Sequence, residues 1–260
     1  MVRALNTAAT GMNAQQTQID IIANNLANVN TPGFKRARAE FQDLYYQQVR
    51  AATEAGDGTA SPIGLEVGQG VRIMASQKIF SAGDMMETGA DLDVAIEGRG
   101  FLKVLTPDGG TGYTRAGQLR VNEQGQLVNI DGLPLEPSIQ IPQDTTEYAI
   151  TREGVVKVRQ SGSKEFTDAG QLSLTAFPNP GGLESLGRGL FTATQSSGEP
   201  MDGVPGQNGL GNIQQRALES SNVKVVEEMI GLISAQRAYE INSKVVSATD
   251  QMLKEASNIR

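Results

Sequence analysis

The chain has 260 residues, enough for one large domain or two smaller ones, with 22 basic and 29 acidic side chains and a net charge of −7. That balance argues against nucleic acid or anionic lipid as the main partner, because both demand concentrated lysine and arginine. Cysteine, histidine and tryptophan are absent, which excludes disulfides, thiolate or imidazole metal sites and histidine-dependent catalysis.

Residues 1–30 carry only Arg3 and Asp20 as charged groups. No continuous apolar core of a cleavable signal is present there, since Asn, Gln and Thr interrupt it, and no run approaches the roughly 20 apolar residues of a membrane span. Leu5, Met12, Ile19 and Leu26 recur every seven residues, and Ala8, Ile22 and Val29 fall three later, with Gln15 as the exception. This a/d pattern predicts an N-terminal helix with an apolar seam. Its other positions are mostly Asn, Gln, Thr and Ala, so it lacks charged i,i+4 pairs and is weak alone; it is expected to fold against a partner.

The segment closes on NNLANVNTPGFKR at 24–36. Asn24, Asn25, Asn28 and Asn30 supply neutral hydrogen-bonding groups for a crowded helix–helix layer. Thr31-Pro32-Gly33-Phe34 fits a type II turn, and Thr31, preceding proline, is pushed out of the helical region. Lys35, Arg36 and Arg38 read either as a solvated turn exit or as a contact to the acidic middle of a neighbouring subunit.

A Gly-rich link occupies 50–70, and the middle of the chain reads as β structure. Strands are expected at Leu92–Ile96, Phe101–Leu105, Leu119–Asn122, Leu127–Ile130, Ala149–Thr151, Val155–Arg159 and Leu172–Phe177, separated by tight-turn dipeptides such as Gln124-Gly125 and Asp131-Gly132. Residues 178–212 are rich in Gly, Pro and Ser and read mostly as loop and short strands. Asp91 and Asp93 alternate with Leu92, Val94 and Ile96; the acid/base pair they could form is outweighed by the simpler reading of a half-buried strand with a solvated face. The Gly-rich stretches at 67–71 and 98–104 lack the lysine and hydroxyl residue of a phosphate loop, and no G-x-S-x-G is present. No catalytic, cofactor or metal site is expected.

The segment at 221–260 predicts a stronger helix, with Asn222 as its expected N-cap and Glu227 and Glu228 near the positive end of the dipole. Ile230, Ile241 and Met252 repeat every eleven residues, as do Val223, Val245 and Ala256 with Ser234 in the missing slot, and Val226, Ile233 and Ile259 broaden the apolar face. An eleven-residue period favours a nearly straight seam, wider than a two-stranded coiled coil needs.

Four blocks, NNLANVNTPGFKR at 24–36, GFLKV and GYTRAGQLRVNEQGQLVNIDGLPL within 100–135, GLESLGRGLFTATQSSGEP at 182–200 and GNIQQRALESSNVKVVEEMIGLISAQRAYEINSKVV at 211–246, together resemble the bacterial flagellar axial proteins of the rod and hook. The resemblance covers nearly the whole chain. It is closest to the distal-rod branch, through the length and the stretch GDGTASPIGLEVGQGVRI at 56–73, in which Pro62, Gly64, Leu65, Val67, Gly68 and Gly70 stand. It implies export through the flagellar type III apparatus without a cleavable signal, and self-assembly into a rigid hollow helical rod. That rod crosses the periplasm and transmits torque to the hook, without membrane insertion. Implied partners are other copies of the chain, proximal-rod proteins, the hook protein, the P- and L-ring proteins and the rod cap protein. The 56–73 stretch would stiffen contacts between subunits.

The expected fold is α+β, with N- and C-terminal helices forming a coiled-coil-like pair around a mostly antiparallel β domain. The boundaries expected are 1–32 for the first helix, 33–72 for an extended Gly-rich connection, 73–212 for the outer β domain and 213–260 for the C-terminal connector and helix. A proximal-rod or hook protein of the same family is the nearest rival. A secreted carboxylate-dependent cell-wall hydrolase is the rival from another class.

Overall fold

The computed structural model describes residues 2–50, 64–162 and 165–258. Two helices stand at its ends, α1 at Val2–Ala27 and α2 at Val225–Asn258, with strands and one short 3-10 turn between them. The fold is therefore α+β, as the periodicities predict. The chain divides into two compact units, one made of Met1–Leu26, Ala37–Gln77 and Lys224–Arg260, the other of Ala27–Arg36 and Lys78–Val223.

The second unit holds the large core. A six-stranded sheet runs in the order Glu184–Gly187, Leu190–Thr192, Thr111–Thr114, Phe101–Leu105, Leu174–Ala176, Met201–Gly203, and the adjacent strands pair antiparallel. Leu102 sits at its centre, opposite Thr114 on one side and Leu174 on the other. A three-stranded sheet of Thr145–Ile150, Val155–Gln160 and Thr167–Gln171 adds Ile150, Val156 and Val158 to the same apolar cluster. Phe80, Phe101, Tyr113, Phe177 and Phe191 form a second cluster of edge-to-face rings, a geometry that aligns ring edges with ring faces.

The hairpin around Glu123–Gly125 forms as expected: Leu119–Val121 pairs with Leu127–Asn129, and the Gly125 N–H donates to the Asn122 carbonyl. The strand expected from Leu92 begins instead at Val94, and Val94, Ala95 and Ile96 are all buried. It is covered on both faces and is a continuous apolar run rather than an alternating one.

In the first unit, α1 and α2 are joined by two strand pairs: Ala37–Asp43 with Val71–Lys78, and Tyr46–Arg50 with Leu65–Gly68. Its buried apolar side chains among the described residues are Ala8, Ala14, Ile22, Ala39 and Ala235. Four alanines and one isoleucine exclude little water, so the described residues of this unit form almost no core of their own.

Candidate assembly sites

On α1, the d positions Ala8 and Ile22 are buried, while the a positions Leu5, Met12, Ile19 and Leu26 are half-buried. Val29 lies past the helix end, half-buried in the turn that follows. The seam read from the heptads thus has one edge covered within the chain and one edge partly open.

The covering surface is α2. A β-carbon placed on Gly11 would lie 2.9 Å from Asn242 Nδ2, and one on Gly231 would lie 3.3 Å from Ile22 Cδ1. Asn25 Nδ2 donates to Glu228 Oε2 at 3.2 Å. Residue numbers fall along α1 as they rise along α2, so the helices lie side by side and antiparallel. The covered positions of α2 are Glu228, Ala235 and Thr249, in sevens with Asn242 between them. Sequence reading missed this face because Glu, Ala, Asn and Thr carry no apolar signal.

The eleven-residue seam lies elsewhere on α2. Val226 is 70 % exposed, Ile230 64 %, Ile241 61 % and Met252 52 %, with Ile233 and Val245 exposed beside them. Val223 is buried, but it precedes the helix; Ile259 lies outside the described residues. Asn222 is not the N-cap, because α2 begins at Val225. Its amide instead accepts the Arg36 N–H at 2.8 Å and donates to the Ile79 carbonyl at 2.8 Å.

The corner after α1 forms the expected turn, with the Phe34 N–H donating to the Thr31 carbonyl and Gly33 at φ 71°. The α-helix stops earlier than Pro32 requires, at Ala27. A β-carbon on Gly33 would lie 2.7 Å from the Ala116 backbone nitrogen, and its own N–H donates to the Glu219 carbonyl. Both conformation and space therefore demand glycine.

Lys35 corrects the sequence reading. It is neither a solvated exit nor a free group for a neighbour, being 0 % exposed. Its Nζ donates to Glu219 Oε1 at 2.6 Å and to the Ser81 carbonyl at 2.7 Å. Arg115 Nη1 donates to both Glu219 oxygens at 3.1 Å, its Nε and Nη2 reach the Gly100 and Gly98 carbonyls, and the Gly83 N–H completes the carboxylate's shell at 3.0 Å. Burial holds the Lys35 ammonium below the usual lysine range; Glu219 offsets part of that, and Arg115 adds to it. Arg115 and Glu219 lay inside two of the quoted blocks, yet nothing local marked them as partners across 104 residues. Arg38, by contrast, makes an exposed pair with Glu40.

In the 56–73 stretch, Pro62 lies outside the described residues. Leu65 and Val67 are exposed on the strand Leu65–Gly68, Gly64 is half-buried, and a β-carbon on Gly68 would lie 3.3 Å from the Tyr46 ring. Gly70, at φ 116°, packs on α1 so closely that a β-carbon would overlap the Thr10 hydroxyl. Tyr45, Tyr46, Val49 and Met74 of the same unit are exposed.

The two aspartates are occupied structurally. Asp91 Oδ1 accepts from Arg216 Nε at 2.7 Å, and Asp93 Oδ2 accepts from the Thr88 hydroxyl at 2.7 Å. Among the described residues, no cluster of three metal-ligating side chains exists, and no helix is long and apolar enough to cross a membrane.

The chain thus combines two long helices, one with an exposed apolar face, and a well-packed β unit, the composition of a structural subunit. Three family models match in order: flagella basal body rod protein over 5–35, flagellar hook protein FlgE/F/G D1 domain over 95–158, and flagellar basal body rod FlgEFG protein C-terminal over 214–259. The flagellar basal-body rod protein FlgG of Borreliella burgdorferi is 48 % identical, covering 100 % of this chain and 99 % of the relative. FlgG of Caulobacter vibrioides is 46 % identical, with both chains fully covered. The flagellar hook-basal body complex protein FlhP of Bacillus subtilis is 32 % identical, again over both full lengths. The chain belongs to the flagellar basal-body rod protein family.

Proposed function

We infer that this chain is a structural subunit of the flagellar basal-body distal rod, polymerising into a rigid hollow helical shaft that carries torque from motor to hook. The observation that carries the polymer reading is the free face of α2. Val226, Ile230, Ile241 and Met252 present apolar groups 52–70 % exposed, and burying each is worth about 1.5–3 kcal/mol before ordering costs. A second copy of the chain covers that face in a head-to-tail contact that does not close, which yields a filament. In the assembled rod, α1 and α2 of one chain form a coiled-coil-like pair in the inner layer, and the β unit faces outward.

The subunit is not an enzyme, a view supported by the structural use of Asp91 and Asp93. It leaves the cell through the type III export apparatus without a cleavable signal and works across the periplasm. It meets proximal-rod proteins, the hook protein, the P- and L-ring proteins and the rod cap. The assembly residues are the two apolar seams with the 31–34 turn between them, and 56–73 stiffens contacts between copies.

Electron microscopy of purified protein at high concentration tests the polymer directly. Wild-type chain gives filaments and Ile230→Asp gives none while remaining folded. Filaments of normal length from Ile230→Asp overturn the assignment of that face. Deleting 56–73 should yield a more compliant, hook-like rod; unchanged stiffness removes support for the distal-rod role of the stretch.

A further inference from the structure

The face between α1 and α2 has little in it that fixes one axial position. Its α1 side includes Ala8, Gly11 and Ala14, and its α2 side Gly231 and Ala235. Its covered α2 positions, Glu228, Ala235 and Thr249, recur in sevens with Asn242 between them, so apart from Ile22 against Gly231 a slide of seven residues again offers α1 small or polar groups. Apolar packing alone leaves such registers close in energy, which is where natural helix pairs place a polar residue.

The buried hydrogen-bonded contact across the face does not survive a slide. Asn25 is 1 % exposed, and its amide makes three hydrogen bonds. Oδ1 accepts the Ala37 N–H at 2.9 Å, Nδ2 donates to the Ala37 carbonyl at 2.9 Å, and Nδ2 also donates to Glu228 Oε2 at 3.2 Å. The first two bonds fix the amide to the start of the Ala37–Asp43 strand; the third reaches across to α2. A seven-residue slide sets Asn25 opposite Ala235, which offers no acceptor, or opposite Ser221, which precedes the helix. It also separates Glu228, only 7 % exposed, from Asn25.

We propose that the Asn25–Glu228 pair sets the register of α2 on α1, and with it the axial height at which the free face of α2 meets the next copy. This rests on the reading that the two helices pair in the assembled rod. A buried polar contact in an otherwise permissive seam trades some stability for a single alignment.

The absence of cysteine makes the test clean. Gly11→Cys with Asn242→Cys reports the native register; Gly11→Cys with Ala235→Cys, or with Thr249→Cys, reports the two slides. Each full-length chain is oxidised, and its intrachain disulfides are quantified by mass spectrometry in soluble and assembled fractions. Every variant is compared with the parent in the same fraction, so one that fails to assemble is still read.

The parent should favour the native bridge by at least about tenfold, because the slid pairs place the sulfurs out of bonding range. In Asn25→Leu/Glu228→Leu, which keeps the seam packed, that preference should fall to within about threefold. Glu228→Gln retains an acceptor for Nδ2 and should keep the parent's preference. An undiminished preference in the double leucine variant overturns the register role. Failure of the 11–242 bridge in the assembled parent overturns the helix pairing itself, and this proposal with it.

Discussion

Replacing Glu219 by alanine removes the one carboxylate that holds two buried cations. Lys35 Nζ, Arg115 Nη1 and the Gly83 N–H all donate to it, and the side chains of Lys35 and Arg115 are 0 % and 3 % exposed. Breaking one buried ion pair costs about 3–5 kcal/mol, and orphaning a buried N–H costs about 1–3 more. These costs do not simply add, because Lys35, already held below its usual range by burial, relieves its share by giving up its proton. Arg115 has no such escape. The expected loss is about 4–7 kcal/mol, a large part of the 5–15 kcal/mol typical of a folded chain. Lys35→Met should cost only about 1–3 kcal/mol, since Glu219 keeps Arg115 and Gly83 and the main loss is at the Ser81 carbonyl. Urea unfolding of dilute full-length protein, followed by far-UV circular dichroism, measures both if the slope stays constant. Glu219→Gln, which keeps a hydrogen-bonding group, supplies a milder variant should the alanine chain not fold. A loss below about 1 kcal/mol for Glu219→Ala, the level of an exposed pair such as Arg38–Glu40, refutes the reasoning. So does a loss no larger than that of Lys35→Met.

Because the folded-state pKa of Lys35 lies below 10.5, the unfolded chain binds more protons in the window just beneath that value. The stability Lys35 contributes is therefore complete above pH 10.5 and falls as pH drops through the folded pKa. The gap between wild type and Lys35→Met should widen as pH rises toward 10.5; a gap that is flat or narrows contradicts it. Gly33→Ala should cost about 2–4 kcal/mol by thermal or urea unfolding, from a left-handed φ and a β-carbon 2.7 Å from Ala116 N; a neutral result means the corner can yield. Asp91→Asn and Asp93→Asn should change stability by about 1 kcal/mol or less, and neither parent nor variants should clear a cell-wall zymogram. Clearing by the parent that the variants lose would restore the hydrolase. Ile230→Asp should leave the isolated chain's stability within about 0.5 kcal/mol of wild type while sedimentation shows no polymer; Met252→Asp should lower both.

What the sequence made legible was whatever carried its own period or turn chemistry. The α1 helix, the Thr31–Phe34 turn and the hairpin at Glu123–Gly125 each follow from a local rule and appear near where that rule puts them, although α1 ends at Ala27, before the last heptad residue Val29. The strands Ala37–Asp43 and Tyr46–Arg50 escaped notice because their residues are charged, amide-bearing or aromatic with no clean alternation, and they remain largely exposed. The Lys35–Glu219–Arg115 centre was invisible for a different reason. A buried charge is recognisable only from its partner, and these partners are separated by 104 and 184 residues. Asn222 shows the same limit: an asparagine before a helix fits a cap, but here its amide is already used by Arg36 and Ile79.

The two faces of α2 explain why Ile230 and Met252 should behave differently. At 3.6 residues per turn, each residue advances about 100° around the helix. Steps of seven therefore drift about 20° backward, and steps of eleven drift about 20° forward. Glu228 and Ile230 begin the covered and free faces roughly 160° apart, on nearly opposite sides. By Thr249 and Met252 the drifts have brought the faces to within about 60° of one another. Near its start, α2 can thus meet its own α1 and a second copy on separate surfaces, and a charge at Ile230 touches only the second. Near its end, the same arc of helix serves both contacts, so a charge at Met252 disturbs the chain's own helix contact together with its assembly. If Met252→Asp behaved like Ile230→Asp, lowering assembly with no loss in the isolated chain, the covered face would have to end before Thr249. The 3 % exposure of that residue would then require another explanation.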